Sequence, residues 1–365
     1  MRRITHTVCM SAVVLLWAAL TAFAWFTPAK DISEAERRPL AQFPELTGES
    51  LLDGSFMADF ESYSLDQFPL RDTFRTIKSL FHIHALNQSD NNGIYITDGF
   101  AVKQEYPLNP DSVNHAADRF NYLYEKYLTD SDIYVAVIPD KGQYLAEESG
   151  HLVLPFGKLN TILLNRMPWA TPINLYDSLS AEDYYYTDIH WRQENLFEAA
   201  SVICEALGAT PPDPADYTPT ALDRPFYGVY YGQAALPMEP ETMYFWKSNL
   251  LDSCYVYNYE TGKYGRVFDL SKKDSRDLYD IFLSGPQSLL TIENPHGEPG
   301  RELIIFRDSF GSAMAPLLVA DFAKVTLVDI RYIQIDVLDR FLEFHGQDVL
   351  LLYSVPVLNN SQTIK

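Results

Sequence analysis

Four apolar, β-branched-rich runs punctuate the chain: IYVAVI (133–138), LIIF (303–306), VTLVDI (325–330) and VLLLY (349–353). Each has strand length and lacks polar alternation, the signature of strands covered on both faces in a parallel sheet. Between them the spacing turns helical, as in a segment carrying Phe120, Leu123 and Tyr127. A second such segment has Leu196, Ala200, Ile203, Cys204 and Leu207 on one stripe and starts at about Trp191. Further helices are expected over 309–319 and roughly 333–344, with Gly346 as the stop. Strand–helix alternation of this kind winds through right-handed crossovers. The expected fold class is α/β, a doubly wound, mainly parallel sheet with helices on both faces.

The flanking regions read differently. ERRPLAQFPELT (36–47) is extended, and an amphipathic helix follows at about 53–65, with Phe56, Met57, Phe60 and Tyr63 at helical spacing. In DQFPLRDTFRTIKSLF, Pro69 ends that helix and Asp72 caps the next, whose apolar positions are Phe74, Ile77, Leu80 and Phe81. NNGIYITDGFAV (91–102) is a hairpin turning at Asp98-Gly99. Between 208 and 300 the rhythm is lost in Pro- and Tyr-rich sequence (TPPDPADYTPT, FYGVYYG), which is read as an irregular insertion over one end of the sheet. The expected organisation is a signal anchor or signal peptide at 1–28, an N-terminal extended and helical segment with the hairpin at 29–109, packed on the main domain, and an α/β domain at 110–365.

Arg2 and Arg3 precede 19 uncharged residues, VCMSAVVLLWAALTAFAWF, and charge returns at Lys30 and Asp31. A positive start followed by an apolar stretch is an export signal. The run is long for a cleaved signal and just sufficient to span a bilayer. Ala22-Phe23-Ala24 has a small-x-small form, but bulky Trp25 and Phe26 follow it. An uncleaved anchor is favoured, with both arginines on the cytoplasmic side. Anchored or secreted, the body is expected outside the cytoplasm, at the cell envelope. Cys9 lies too early to be a lipoprotein cysteine, while Cys204 and Cys254 are open between a disulfide and buried thiols. The balance of 28 Lys+Arg against 49 Asp+Glu, −21 net, argues against nucleic acid as a partner. No cysteine or HExxH-like spacing marks a metal site, and no cofactor is expected.

Chemistry enters at YYYTDIHW (184–191). In an extended segment residues two apart point to the same side, so Asp188 and His190 lie together. An Asp that accepts the Nδ1 proton of a His leaves Nε2 free as a base. Alternatively, Thr187 or Asp188 caps the following helix and His190 is a first-turn residue. The second element is RELIIFRDSFGSAMAPLL, which runs from a strand through Arg307-Asp308-Ser309 into a helix of small residues. A Ser at that turn stands at the carboxyl edge of the sheet, where α/β proteins bind ligands, near backbone N–H groups suited to an oxyanion. The small residues after it would admit an acyl group, although Asp308 or Ser309 is equally readable as an N-cap. The two elements supply what each lacks, and together they favour a Ser-His-Asp hydrolase or transferase. Tyr186, Trp191 and FYGVYYG are open between a sugar-stacking cleft and core packing. Lys141, beyond the first strand, is open between a substrate contact and a solvated surface lysine. Arg307 is open between steering an anionic donor and a structural ion pair.

ERRPLAQFP, DQFPLRD, NGIYITDG, TDIHW and FRDSF, in that order, resemble the DHHW protein family and the related alginate O-acetylation proteins, which have an SGNH-hydrolase-like α/β domain. The resemblance runs from about Glu36 to Asn359 and is most specific at TDIHW and RDSF. It implies that Asp188 and His190 match the family's acid and base, and Ser309 its nucleophile. The second position of the family's name is Ile189 here, between the two functional residues. The implied activity is O-acyl transfer, typically of acetyl, onto polysaccharide hydroxyls outside the cytoplasm, with acetyl ester hydrolysis as the alternative. A non-catalytic carbohydrate-binding envelope protein is the reading from another class. The implied partners are a polysaccharide acceptor, an acyl donor and a membrane-bound acyltransferase. Ser309 N–H is one oxyanion donor to consider, and Gly285 another.

Overall fold

The computed structural model of the protein describes residues 2–33 and 35–365. Side chains of residues 2–5 lie outside the described set, and with them the expected placement of Arg2 and Arg3. Two compact units are present, Met1–Asn92 with Tyr231–Pro237, and Gly93–Tyr230 with Met238–Lys365.

The larger unit holds an eight-stranded sheet, its strands numbered in chain order: β1 (Ile133–Ile138), β2 (Thr171–Ile173), β3 (Tyr255–Asn258), β4 (Lys263–Gly265), β5 (Leu289–Glu293), β6 (Glu298–Arg307), β7 (Phe322–Val328) and β8 (Asp348–Ser354). Their spatial order is β4-β3-β5-β7-β6-β8-β1-β2. The five strands β7-β6-β8-β1-β2 are mutually parallel. The four apolar runs supply β1 and β6–β8, and their lack of alternation has a direct cause. Successive side chains feed two separate cores: Ala136, Ile138, Ile305 and Leu352 enter one, Val135, Val137, Phe306 and Leu351 the other. The helix Phe197–Ala206 covers the first face through Ala199, Ala200, Ile203 and Cys204. The helices Pro110–Leu123 and Phe156–Asn165 cover the second. The sheet is thus doubly wound.

Several elements differ from expectation. The 309–319 helix is a single α turn, Gly311–Met314, running into a 3₁₀ turn, Ala315–Leu318, because Pro316 has no N–H to continue the ladder. The 333–344 segment is a 3₁₀ stretch, Ile335–Arg340. The helix expected from Trp191 begins at Phe197. Within 208–300, β3, β4 and β5 extend the main sheet antiparallel at one edge, and Thr218–Phe226 pairs antiparallel with Glu241–Lys247. The hairpin Ile94–Thr97/Phe100–Lys103 turns at Asp98 (φ 47°) and Gly99 (φ 84°) and lies in the larger unit.

Cys204 and Cys254 are buried free thiols rather than a disulfide. Burial pushes their pKa values up to about 12 and about 11. The thiolate is the reactive form, so neither is expected to react with Ellman's reagent at neutral pH in the native protein. Both should react once guanidinium unfolds it. Rapid native labelling of either would contradict this packing.

The smaller unit contains α1 (Arg2–Phe26), α2 (Gly48–Leu52), α3 (Ser55–Asp66) and α4 (Arg71–Leu80). Two of its sequence motifs meet through charge: Arg38 pairs with Asp66, and Arg71 with Glu36 at 2.6 Å. The α4 N-cap is Leu70, and Asp72 sits in the first turn instead of capping it. By length and composition, His6–Phe26 of α1 suffices to cross a membrane, and none of its residues is buried.

Candidate active site

Chain direction selects the edge at which chemistry is placed. The chain leaves β6 for β7 on one side and returns to β8 on the other, so the carboxyl end of β6 is a switch point. Ser309 lies two residues beyond it. Asp308 fixes this turn: its Oδ1 accepts from Phe310 N–H at 3.1 Å and its Oδ2 from Ser354 N–H at 2.8 Å, at the end of the neighbouring β8. Asp308 therefore does the local capping, while the Ser309 hydroxyl is directed at another segment.

That segment is YYYTDIHW, a closed loop rather than an extended strand. Tyr184 bridges Trp191, and Tyr185 N–H donates to His190 O at 3.1 Å. Asp188 and His190 meet because the chain turns between them, with His190 N–H donating to Asp188 Oδ1 at 3.0 Å. The same oxygen is 2.6 Å from His190 Nδ1, and His190 Nε2 is 2.8 Å from Ser309 Oγ. Val229 N–H holds the other oxygen, Oδ2, at 2.7 Å. Asp188 is fully buried, His190 8% exposed, and Ser309 partly exposed. Tyr279 stacks on the imidazole, its ring centroid 3.9 Å away and the planes 12° apart. A hydroxyl, an imidazole and a buried carboxylate are thus aligned with the hydroxyl towards solvent. Such a set can relay a proton from the hydroxyl as it attacks an acyl carbon.

The loop itself is gripped from two sides. Lys141 Nζ donates to the carbonyls of Tyr185 (2.8 Å), Tyr186 (3.3 Å) and Asp188 (2.7 Å). Glu241 accepts from Tyr186 N–H, Thr187 N–H and the Thr187 hydroxyl at 2.7–2.8 Å. Lys141 is fully buried, which corrects its expected place at an exposed edge facing substrate or solvent. Burial pushes its pKa down, and the carboxylates of Asp140, Asp188 and Glu241 oppose that shift.

Arg307 is also buried. Its guanidinium is 3.7 Å from Asp329 and donates to the carbonyls of Asp308 and Gln287, so it holds structure instead of meeting a donor at the surface. Gly311 next to it is small for the same reason, since a Cβ there would lie 2.7 Å from Arg307 Cβ. Trp191 is entirely buried and donates from Nε1 to Phe310 O at 3.1 Å, so it is core and no stacking platform. Tyr184 and Tyr185 are likewise buried, whereas Tyr186 stays partly exposed and stacks on Phe100 at 4.1 Å. Gly285 adopts φ 81°, following Leu283 and Ser284, which are also left-handed.

Sequence reasoning missed the roles of Glu241, Tyr279, Val229 and Gly228. Their contacts to the loop are long-range backbone or ring contacts that leave no local pattern. Gly228 has a measurable reason to be glycine: a Cβ would sit 2.2 Å from Thr187 O and 2.3 Å from Asp188 N. Gly228→Ala is expected to destabilise the fold by about 1–3 kcal/mol, the usual size of an overpacking effect. It should also cost activity, by displacing Asp188. Urea melts and turnover measured together check this, and an unchanged melt with full activity would contradict it.

Residues 173–328 match the family model described as DHHW protein. A DHHW family protein from Eubacterium siraeum superposes with a TM-score of 0.58 at 22% identity, covering 75% of this chain and 95% of that one. Bacillus cereus PatB1, in a structure with a sulfonyl adduct, gives a TM-score of 0.58 at 17% identity over 73% and 95% of the two chains. The O-acetyltransferase domain of Pseudomonas putida AlgJ aligns at 12% identity over 73% and 92%, with a TM-score of 0.43. No curated protein matches the sequence. The first two likenesses show the fold, and with the family match they show the DHHW resemblance that the motifs imply.

Proposed function

With the DHHW match over residues 173–328 as premise, we propose that the chain is an extracytoplasmic serine O-acyltransferase that moves acetyl groups onto hydroxyls of a cell-envelope or secreted polysaccharide. One observation carries this reading: Ser309 Oγ lies 2.8 Å from His190 Nε2, with Asp188 holding Nδ1 at 2.6 Å. His190 takes the Ser309 proton as Oγ bonds to the acyl carbon, and returns it to the departing group of the donor as that bond breaks. A sugar hydroxyl then gives its proton to His190 and attacks the acyl-enzyme; His190 returns that proton to Ser309 Oγ as its bond to the acyl carbon breaks, releasing the new ester. Asp188 stabilises the imidazolium in both halves. Backbone N–H groups, with Ser309 N–H as the first to test, would hold the oxyanion. The apolar helix α1, long enough to cross a bilayer, supports an anchor with the body outside the cytoplasm. The membrane-bound partner that would deliver the acyl group rests on the resemblance alone.

The test compares wild type and Ser309→Ala with p-nitrophenyl acetate, with and without candidate glycans. Expected are p-nitrophenol release that requires Ser309 and acetyl esters appearing on a glycan. Free acetate as the sole product would make the chain an acetylesterase with the same residues. Equal release by both proteins would remove Ser309 from the reaction and favour the non-catalytic reading.

A further inference from the structure

α3 is a twelve-residue helix without a single buried residue, yet it carries Phe56, Met57, Phe60 and Tyr63. At 100° per residue these four fall on one arc, which also holds Ser64, while Asp59, Glu61, Ser62 and Asp66 lie outside it with Ala58 and Leu65. Phe43 crowns the apolar arc, its ring 5.3–6.4 Å from those of Phe56, Phe60 and Tyr63 in edge-on contacts. What faces this arc is α1. Trp17, Leu20 and Ala24 of α1 line one wall of a cavity of about 350 Å³, and Phe43, Phe60 and Tyr63 line the other. The arrangement is clamped at its end by Gln67, whose side chain accepts from Lys30 N–H and donates to Lys30 O.

The depth of this groove follows from helix geometry. The apolar span His6–Phe26 has 21 residues, about 31 Å at 1.5 Å per residue, against a hydrocarbon core of about 30 Å. With Phe26 at the extracytoplasmic boundary, Ala24 and Trp17 lie about 3 and 13 Å beneath it. Phe60 and Tyr63 of α3 line the opposite wall of the groove, beside that part of α1. Phe43, which lines the groove, and Met57, on the same arc of α3, are 59% and 63% exposed.

We infer that α3 and Phe43 are an interfacial part of the anchor, embedded in the extracytoplasmic leaflet, and that the groove between α3 and α1 is filled by phospholipid acyl chains. The inference rests on reading α1 as a retained anchor. The test reconstitutes the full chain in phosphatidylcholine nanodiscs. An environment-sensitive fluorophore is placed by Cys9→Ser combined in turn with Val13→Cys, Met57→Cys, Phe60→Cys or Glu61→Cys; Cys204 and Cys254 are buried. Labels at 13, 57 and 60 should emit at shorter wavelength than the label at 61. Doxyl groups on the acyl chains should quench them at least about twofold more than aqueous iodide, and the order should reverse at 61. Lipid quenching at 13 with iodide quenching at 57 and 60 would overturn the inference and leave the anchor standing. Iodide quenching at 13 would overturn both.

Discussion

Asp188→Asn should lower turnover by about four orders of magnitude, the size this exchange has in a serine protease triad. The reason lies in the donors that converge on the carboxylate. Oδ1 accepts from His190 N–H and Nδ1–H, and Oδ2 accepts from Val229 N–H. An amide must point its NH₂ at one side or the other. Turned towards His190, it forces the proton onto Nε2, and that nitrogen can no longer take the Ser309 proton. Turned towards Val229, it sets donor against donor in a site closed to water and pushes the loop away. Turnover of an activated acetyl ester, with circular dichroism to establish folding, reads the result. A folded Asp188→Asn protein with near wild-type turnover would remove Asp188 from the reaction.

Lys141→Met should cost about 3–5 kcal/mol of stability, the range for removing one member of a buried charge cluster. Methionine fills much of the same space without the ammonium. Three carbonyls of the YYYTDIHW loop then lose their donor in the interior. The negative charges of Asp140, Asp188 and Glu241 also lose the cation that faces them. Turnover should fall with stability, because the backbone that Lys141 grips carries Asp188. Denaturant melts measure the first effect. A melt indistinguishable from wild type would show that the loop does not depend on this lysine.

The sequence made the core legible where burial is symmetric. IYVAVI and VLLLY have no polar face because both of their faces pack, and their boundaries in the structure lie within one residue of those runs. That Asp188, His190 and Ser309 come together was also readable from TDIHW and FRDSF, although the extended segment expected to align the first two is a closed loop. Lys141 misled, and Arg307 stayed open between a surface contact and a structural ion pair, for a shared reason. The charge of Lys141 suggested exposure and that of Arg307 left its place open, but the backbone carbonyls that satisfy them are 44–47 residues away from Lys141 and, for the Gln287 contact, 20 residues from Arg307. Local patterning carries no trace of such partners. Aromatic composition was similarly silent, because Trp191 in the core and Tyr186 at the surface share one short string and differ only in which way the closed loop turns them.

The proposed reaction is covalent, with the acyl group passing to the Ser309 hydroxyl. Rapid quenching of the protein with p-nitrophenyl acetate, followed by peptide mass mapping, tests it most directly. Expected are a stoichiometric burst of p-nitrophenol and one acetyl group on the peptide containing Ser309, both lost in Ser309→Ala. An acetyl group trapped on another residue, with the burst intact in Ser309→Ala, would contradict it.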